Sequence, residues 1–254
     1  MKRSGNLWPQ LTSWENLLRS ALAAARGKRK RPDVARFLFD LEPNLCSLHR
    51  ELLTGTWEPG AYRTFWIRDP KPRMISAAPF RDRVVHHAVT GVLERVFEPR
   101  FTASSFASRR GFGQHKALHK ARAACRRYRY VLKCDIRKYF PSMDHLILKE
   151  LLEEAIKCRP TLDLVSAIID GSNAQEEVTA LFPGDTPFTP LERRKGLPIG
   201  NQTSQFFANV YLKALDHFVL RELRSGWCWP MKRTGPIANS GRAWRNSSWT
   251  IRWR

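Results

Sequence analysis

The stretch VLKCDIRKYF, residues 131–140, decides our interpretation of the fold, because its first half alternates like a β-strand. The strand is expected over residues 130–136, so that it carries Asp135 to its end, with Phe140 following after a turn. Phosphoryl transfer needs carboxylates on a rigid sheet edge, because two metal ions about 3.5–4 Å apart are held there. An isolated aspartate at such a place is nevertheless more often a turn residue or a helix N-cap.

Hydrophobic periodicity on both sides of this strand predicts a largely helical chain. Helices are expected over residues 13–25 (with Leu17, Leu18 and Leu22 on one side), from Asp33 onward, either continuous or split at Pro43, and over 81–97, 144–157 and 203–223. Residues 62–67 and 73–77 predict a β-hairpin with a basic tip, and residues 171–195 are expected to form a loop.

The charge balance predicts a polyanionic partner. Lys and Arg number 44 against 23 Asp and Glu, which gives a net charge of +21. Nucleic acid is the usual partner of such a domain, because each phosphate contact releases a condensed counterion. An anionic membrane surface is the competing interpretation, but we find no apolar run of about 18 residues that would span a bilayer.

The remaining metal-binding side chains indicate no further chemistry. The five cysteines are scattered without a C-x-x-C motif, which argues against a disulfide framework and a zinc site and favours the cytoplasm. His86 and His87 lack a third metal-binding residue beside them, so we interpret the pair as structural and not as a metal site.

Four motifs then occur in order along most of the chain. They are DPKPRMI at 69–75 followed by PFRDRVV at 79–85, SFASRRGFGQHKAL at 105–118, DIRKYFPSMDH at 135–145, and GLPIGNQTSQ at 196–205. With these motifs the chain resembles the reverse transcriptases of bacterial retroelements, above all those of diversity-generating retroelements. Retron and group II intron enzymes are relatives of that group, and the pair Ser204-Gln205, where many relatives have Ser-Pro, favours the diversity-generating branch.

The resemblance implies an α+β architecture, the fingers and part of the palm of a right-hand polymerase without its thumb. Residues 1–53 would form an N-terminal helical extension, 54–127 the fingers and 128–223 a partial palm with a small antiparallel sheet. Residues 224–254 would be an aberrant, disordered tail rich in Arg and Trp.

The resemblance also implies an RNA-directed DNA polymerase that adds dNTPs to a DNA primer on an RNA template. Asp135 would be the catalytic residue and, with the backbone carbonyl of Ile136, a ligand of two Mg²⁺ ions. The residues implied to bind the nucleotide are Lys71, Arg73, Arg81, Arg83, Phe140 and Gly200. Those implied to contact template and primer are Pro198, Ser204 and Gln205. A small accessory protein is a further implied partner, a membrane is not, and we interpret Asp144 as a structural carboxylate near a helix N-terminus.

The C-terminal segment departs from the family. A strand hairpin with an aromatic–x–Asp–Asp motif is due after the last helix, yet no Asp or Glu follows Glu222. A shift of reading frame near residues 223–226 is one explanation, and a divergent tail that binds nucleic acid through Arg and Trp is the other. We therefore expect little polymerase activity from this chain. A non-catalytic nucleic-acid-binding protein, or a structural or defence-associated relative, is the alternative function.

Overall fold

A computed structural model describes residues 2–68, 72–130, 134–136, 138–173, 186 and 188–222. The expected tail from Arg224 and the tip of the basic hairpin, including Lys71, lie outside these described residues.

The described chain is mainly helical and contains one small sheet. In chain order the elements are α1 (Trp8–Thr12), α2 (Trp14–Ala25), α3 (Pro32–Phe39), α4 (Leu41–Thr54), β1 (Arg63–Arg68), β2 (Pro72–Ala77), α5 (Phe80–Phe97) with a 3₁₀ turn (Glu98–Arg100), α6 (Gln114–Arg127), α7 (Tyr139–Ser142), α8 (His145–Glu153), α9 (Arg159–Asp170), α10 (Thr189–Glu192) and α11 (Gln202–Arg221).

Helix α5 is the central element of the core. It packs against α2 on one side and α11 on the other. The expected apolar face is confirmed, since Val84, Ala88 and Val92 are buried and Val96 packs against the core. Each fully buried valine stabilises the fold by about 1.5–3 kcal/mol. The buried cluster is continuous from the first helices to α11, so the N-terminal segment shares one core with the rest of the described chain.

The hairpin is confirmed as an antiparallel pair. Arg63 lies opposite Ala77 and Arg68 opposite Pro72, so β1 and β2 pair along their whole length. Strand β1 is exposed throughout, whereas Ser76 on β2 is fully buried. The hairpin therefore contacts the rest of the protein through β2.

Two predictions for the N-terminal helices were wrong. The break between α3 and α4 falls at Asp40 and not at Pro43. Pro43 lies in the first turn of α4, where a backbone N–H has no helical partner and proline is tolerated. Leu22 was expected on the buried side of α2, but it is 43% exposed, while Leu17 is fully buried.

The expected palm strand is not observed in the residues that can be assessed. Residues 131–133 lie outside the described ranges, Cys134 and Asp135 have no strand conformation, and Ile136 forms a single-residue bridge. Within the described ranges the hairpin is the only sheet. The architecture is thus mixed helical with a small sheet, and a palm sheet stays a prediction.

In the part of the chain that the structure describes, every helix is too short or too polar to cross a bilayer.

Candidate nucleic-acid interface

The loop before α11 binds the segment that follows Asp135. The amide of Gly196 donates to the carbonyl oxygen of Met143 at 2.8 Å, and the amide of Leu197 donates to that of Phe140 at 3.0 Å. The His145 ring forms a further bond with the Gly196 carbonyl oxygen at 2.8 Å. The motif at 135–145 and the motif at 196–205 are therefore one structural unit.

The same loop is held on its other side by strand β2. The amide of Ser76 donates to the carbonyl oxygen of Ile199 at 2.9 Å. Gly200 has φ +125°, and a Cβ placed on it would lie 3.1 Å from Ile75 Cγ2 and 3.4 Å from the Ser76 carbonyl oxygen. Glycine is required here by its backbone conformation and by its approach to β2. A similar role toward an incoming nucleotide stays a prediction.

The motif at 105–118 contacts the start of α11. The Ser108 hydroxyl donates to Gln205 Oε1 at 3.3 Å, and Asn209 Nδ2 donates to the Ala107 carbonyl oxygen at 2.7 Å. Gln205 is exposed, whereas Pro198 and Ser204 are buried. Of the three residues implied to contact template and primer, Gln205 alone is exposed, and the other two contribute to packing.

The Asp135 side chain is exposed to solvent and is not buried among apolar side chains. Its Oδ1 accepts a hydrogen bond from the adjacent Ile136 amide at 3.0 Å. Phe140 is half-buried and packs edge-on against Tyr139, with ring centroids 5.6 Å apart. The Tyr139 hydroxyl donates to the Ala208 carbonyl oxygen at 2.6 Å, and burial raises the pKa of that phenol. Tyr139 therefore joins this segment to α11 next to Phe140.

The arginines implied to hold a triphosphate differ in their availability. Arg73 is exposed on β2. Arg81 forms an ion pair with Glu51, and Arg83 pairs with Asp33 at 2.5 Å while its guanidinium lies over Phe80. Arg81 and Arg83 would have to leave these carboxylates to bind phosphate. These pairings join distant parts of the sequence, and local sequence reasoning did not find them.

Helix α6 provides a basic surface. This helix was not predicted from the sequence. Ala124 is its one buried residue, and the helix exposes cationic or ionisable side chains along most of its length. These side chains are His115, Lys116, His119, Lys120, Arg122, Arg126 and Arg127. Seven such residues in fourteen were the available signal, and a helix with this composition suits a phosphate backbone.

Asp144 has the structural role that was expected of it. It is buried and caps α8, with Oδ1 accepting from the amides of Leu146 at 2.8 Å and Ile147 at 3.3 Å. Arg193 lies 3.5 Å from its other oxygen. This carboxylate is already committed to a helix N-terminus and a buried cation.

The described residues do not fit a two-ion Mg²⁺ site. Among them no three His, Cys, Asp or Glu side chains lie together, and Asp135 is a lone carboxylate. Mg²⁺ is usually held by one or two carboxylates together with substrate phosphates. Asp135 can therefore supply one ligand of such an ion.

Searches against known proteins found relatives among intron-encoded proteins. No family model matches the chain. The chain is 26% identical over 183 residues to the group II intron-encoded protein LtrA of Lactococcus lactis, covering 71% of this chain and 29% of LtrA. It is 24% identical over 202 residues to protein YkfC of Escherichia coli, covering 74% of this chain and 50% of YkfC.

A plant relative and a solved structure were also found. Nuclear intron maturase 1 of Arabidopsis thaliana is 29% identical over 94 residues, covering 37% of this chain and 13% of the maturase. The solved Cas6-RT-Cas1–Cas2 partial complex aligns with a TM-score of 0.47 at 18% identity, over 87% of this chain and 35% of that one. The chain thus spans half or less of the relatives named. It is similar, over part of their length, to a group II intron-encoded protein and to an intron maturase.

Proposed function

We propose that this chain is a reverse transcriptase of retroelement type that binds a primer–template duplex and, as this chain stands, copies it poorly or not at all. The observation that carries the proposal is the loop at 196–201, which forms the first part of the motif at 196–205. It is bonded to Phe140 and Met143 on one side and to Ser76 on the other, which brings the motif around Asp135 into one unit with the hairpin.

Electrostatics support nucleic acid as the partner. The net charge of +21 must be compensated, and the exposed basic side chains of α6 provide phosphate contacts beside the motif at 105–118. Lys120 of α6 lies over the Phe106 ring at 5.5 Å, which ties the basic helix to that motif. Binding through such contacts weakens with salt, because the released counterions must be recaptured.

The proposed low activity follows from the carboxylates. Asp135 is exposed and can hold a metal ion, but the expected second and third aspartates have no counterpart after Glu222. Two ions in the geometry needed for phosphoryl transfer require more ligands than one side chain provides.

The test combines binding and extension on one sample of the purified chain. A labelled DNA primer on an RNA template should bind with an affinity that falls steeply with salt, and added Mg²⁺ and dNTPs should leave the primer unextended. Extension that Asp135→Ala abolishes would show an active polymerase instead, and absence of binding would reject the whole proposal.

A non-catalytic nucleic-acid-binding protein is the second candidate, favoured by the ion pairs that occupy Arg81 and Arg83. Asp135→Asn separates the two candidates if a partner chain completes the site, because synthesis would fall while binding stayed. The diversity-generating branch stays a prediction that rests on Ser204-Gln205. A paired repeat and an accessory gene beside the coding sequence would support that branch.

A further inference from the structure

A cleft distinct from the surroundings of Asp135 lies between the N-terminal helices and α11. Its volume is about 470 Å³, and its walls come from α2, α5, the segment 101–110 and the first turns of α11. That volume falls in the range of small-ligand pockets. Neither Asp135 nor Phe140 contributes to its lining.

The interior of the cleft contains a buried polar group without a partner. Thr90 is 2% exposed, and its hydroxyl has no hydrogen-bond partner within the described residues. Asn16 beside it has a fixed amide, whose Nδ2 donates to the Leu11 carbonyl oxygen at 2.9 Å and the Ala88 carbonyl oxygen at 3.3 Å. Because almost none of its surface is accessible, this hydroxyl cannot contact an occupant of the cleft in this structure, and the polar contacts must come from Glu94.

Glu94 lies one helical turn after Thr90, on the same side of α5, and it too lines the cleft. Its neighbour Glu98 is bound by Arg109 through both Nε and NH2, the latter at 2.6 Å. Glu94 instead meets Arg110 at 3.6 Å, and that arginine is 91% exposed, so the pair is weak. Burial raises the pKa of Glu94, Arg110 opposes this rise, and the charge of Glu98 adds a smaller one. Glu94 therefore offers two acceptor oxygens that lack strong donors.

The rim of the cleft has the opposite charge. Arg19, Arg95 and Arg110 line it and are exposed. Cations at the mouth and a carboxylate inside match a nucleotide whose phosphates stay outside while its base enters. Guanine is the base whose Watson–Crick edge presents two parallel N–H donors, and a carboxylate accepts two such bonds at once.

We propose that this cleft binds one unpaired guanine of a single-stranded nucleic acid, with the Glu94 carboxylate accepting from both N–H donors of the base edge. The inference rests on the proposed function, because Gln202 and Asn209 of the cleft flank Gln205 on one face of α11. A strand that touches Gln205 could thus place a neighbouring base in the cleft.

Gly91 provides a way to close the cleft without touching the acceptor groups. A Cβ placed there meets only Asn16 Oδ1 at 4.0 Å, which is ordinary contact distance. Gly91→Met should fill the space with a flexible side chain, and Gly91→Ala is the matched control that adds one methyl group. Glu94→Gln keeps the size of the side chain and removes the carboxylate.

The experiment measures binding of short, labelled single strands that differ at one position: guanine, adenine or inosine, which lacks the second donor. The unmodified chain should bind the guanine strand about tenfold more tightly than the other two. Gly91→Ala should keep this preference, whereas Gly91→Met and Glu94→Gln should lose it, with circular dichroism confirming that each variant is folded. Equal affinity of the unmodified chain for all three strands, or a preference retained in Glu94→Gln, would overturn the inference.

A competition experiment distinguishes a guanine within a strand from a free guanine nucleotide as the occupant of the cleft. Guanosine monophosphate should displace the guanine strand poorly, because the rim arginines act on neighbouring phosphates. Displacement by the monophosphate at concentrations close to those of the strand would show a free-nucleotide site and overturn the strand assignment. Failure of all three strands to bind, or equal binding of all three, by a chain that still binds primer–template would reject the guanine site alone, whereas loss of primer–template binding would reject the proposed function itself.

Discussion

The Ser76 amide on β2 donates a 2.9 Å hydrogen bond to the carbonyl oxygen of Ile199, which places the loop before α11 directly on the hairpin. The next residue, Gly200, passes so close to β2 that a side chain would meet Ile75 and the Ser76 carbonyl oxygen. This contact connects the hairpin to the motif around Asp135, because the same loop bonds Phe140 and Met143.

Gly200→Ala should therefore destabilise the protein more than a positive φ alone explains. Gly113 is the matched control, since it has φ +118° and a Cβ added to it would meet nothing within 4 Å. We expect Gly113→Ala to lower the free energy of unfolding by about 1–2 kcal/mol and Gly200→Ala by about 3 kcal/mol. Urea unfolding measures both changes, and equal losses would contradict the packing argument.

His86 should make the fold sensitive to acid. The ring is buried on α5, and burial, with smaller effects of His87 and Arg83, lowers its pKa to about 3 from an ordinary 6.5. The unfolded chain therefore binds more protons in this window, so the contribution to stability is present above pH 6.5 and is lost as the pH falls toward 3.

His86→Leu should reduce the loss of stability between about pH 7 and about pH 5. Neither ring nitrogen has a hydrogen-bond partner among the described residues, so the substitution removes no such bond. His115→Leu on the exposed side of α6 is the control and should leave the pH dependence as it is. A pH profile of the His86 variant that superimposes on that of the unmodified chain would reject this role.

Asp144 should contribute to the stability of the fold and not directly to nucleic-acid binding. Asp144→Ala removes the α8 cap and leaves Arg193 without this carboxylate, so the free energy of unfolding should fall by about 1–3 kcal/mol. Asp144→Asn keeps an oxygen for the Leu146 amide and should lose less. Binding of primer–template by the Asn variant should match that of the unmodified chain, and a selective loss of binding in a stable Asn variant would indicate a direct role.

The elements of the fold that could be predicted are those whose sequence pattern lies within a single short segment. Helix α5 and the hairpin were predicted correctly because their apolar residues follow a regular period and their turns contain proline. The break at Asp40 was missed because proline is a helix breaker only beyond the first turn. Helix α6 has too few apolar residues for its period to be seen.

The site was predictable to the extent that its motifs are contiguous in sequence. Asp135 and Gln205 are both exposed, and their roles toward a metal ion and a template stay predictions. The ion pairs of Arg81 with Glu51 and of Arg83 with Asp33 connect residues far apart in sequence. Hydrophobic periodicity cannot predict such pairs. The cleft beside Thr90 likewise exists only after α2, α5 and α11 have packed.

The basic surface of α6 should determine the salt dependence of binding. Lys116→Gln, Arg122→Gln and Arg126→Gln should each weaken binding to every sequence alike and reduce the slope of log K against log salt by about 1 for each lost phosphate contact. Arg36→Gln on α3 makes the same charge change on another exposed helix and serves as the control. Unchanged slopes in all three variants would show that α6 does not contact phosphate.

The most direct test of the central claim is photo-crosslinking of a bound primer–template, followed by mass spectrometry of the crosslinked peptides. The account predicts crosslinks to α6, to the hairpin around Arg73 and to the exposed surface near Gly200 and Gln205, and their loss at high salt. Crosslinks confined to residues 224–254 would contradict it, because nucleic acid would then be bound by the Arg- and Trp-rich segment and not by the joined motifs.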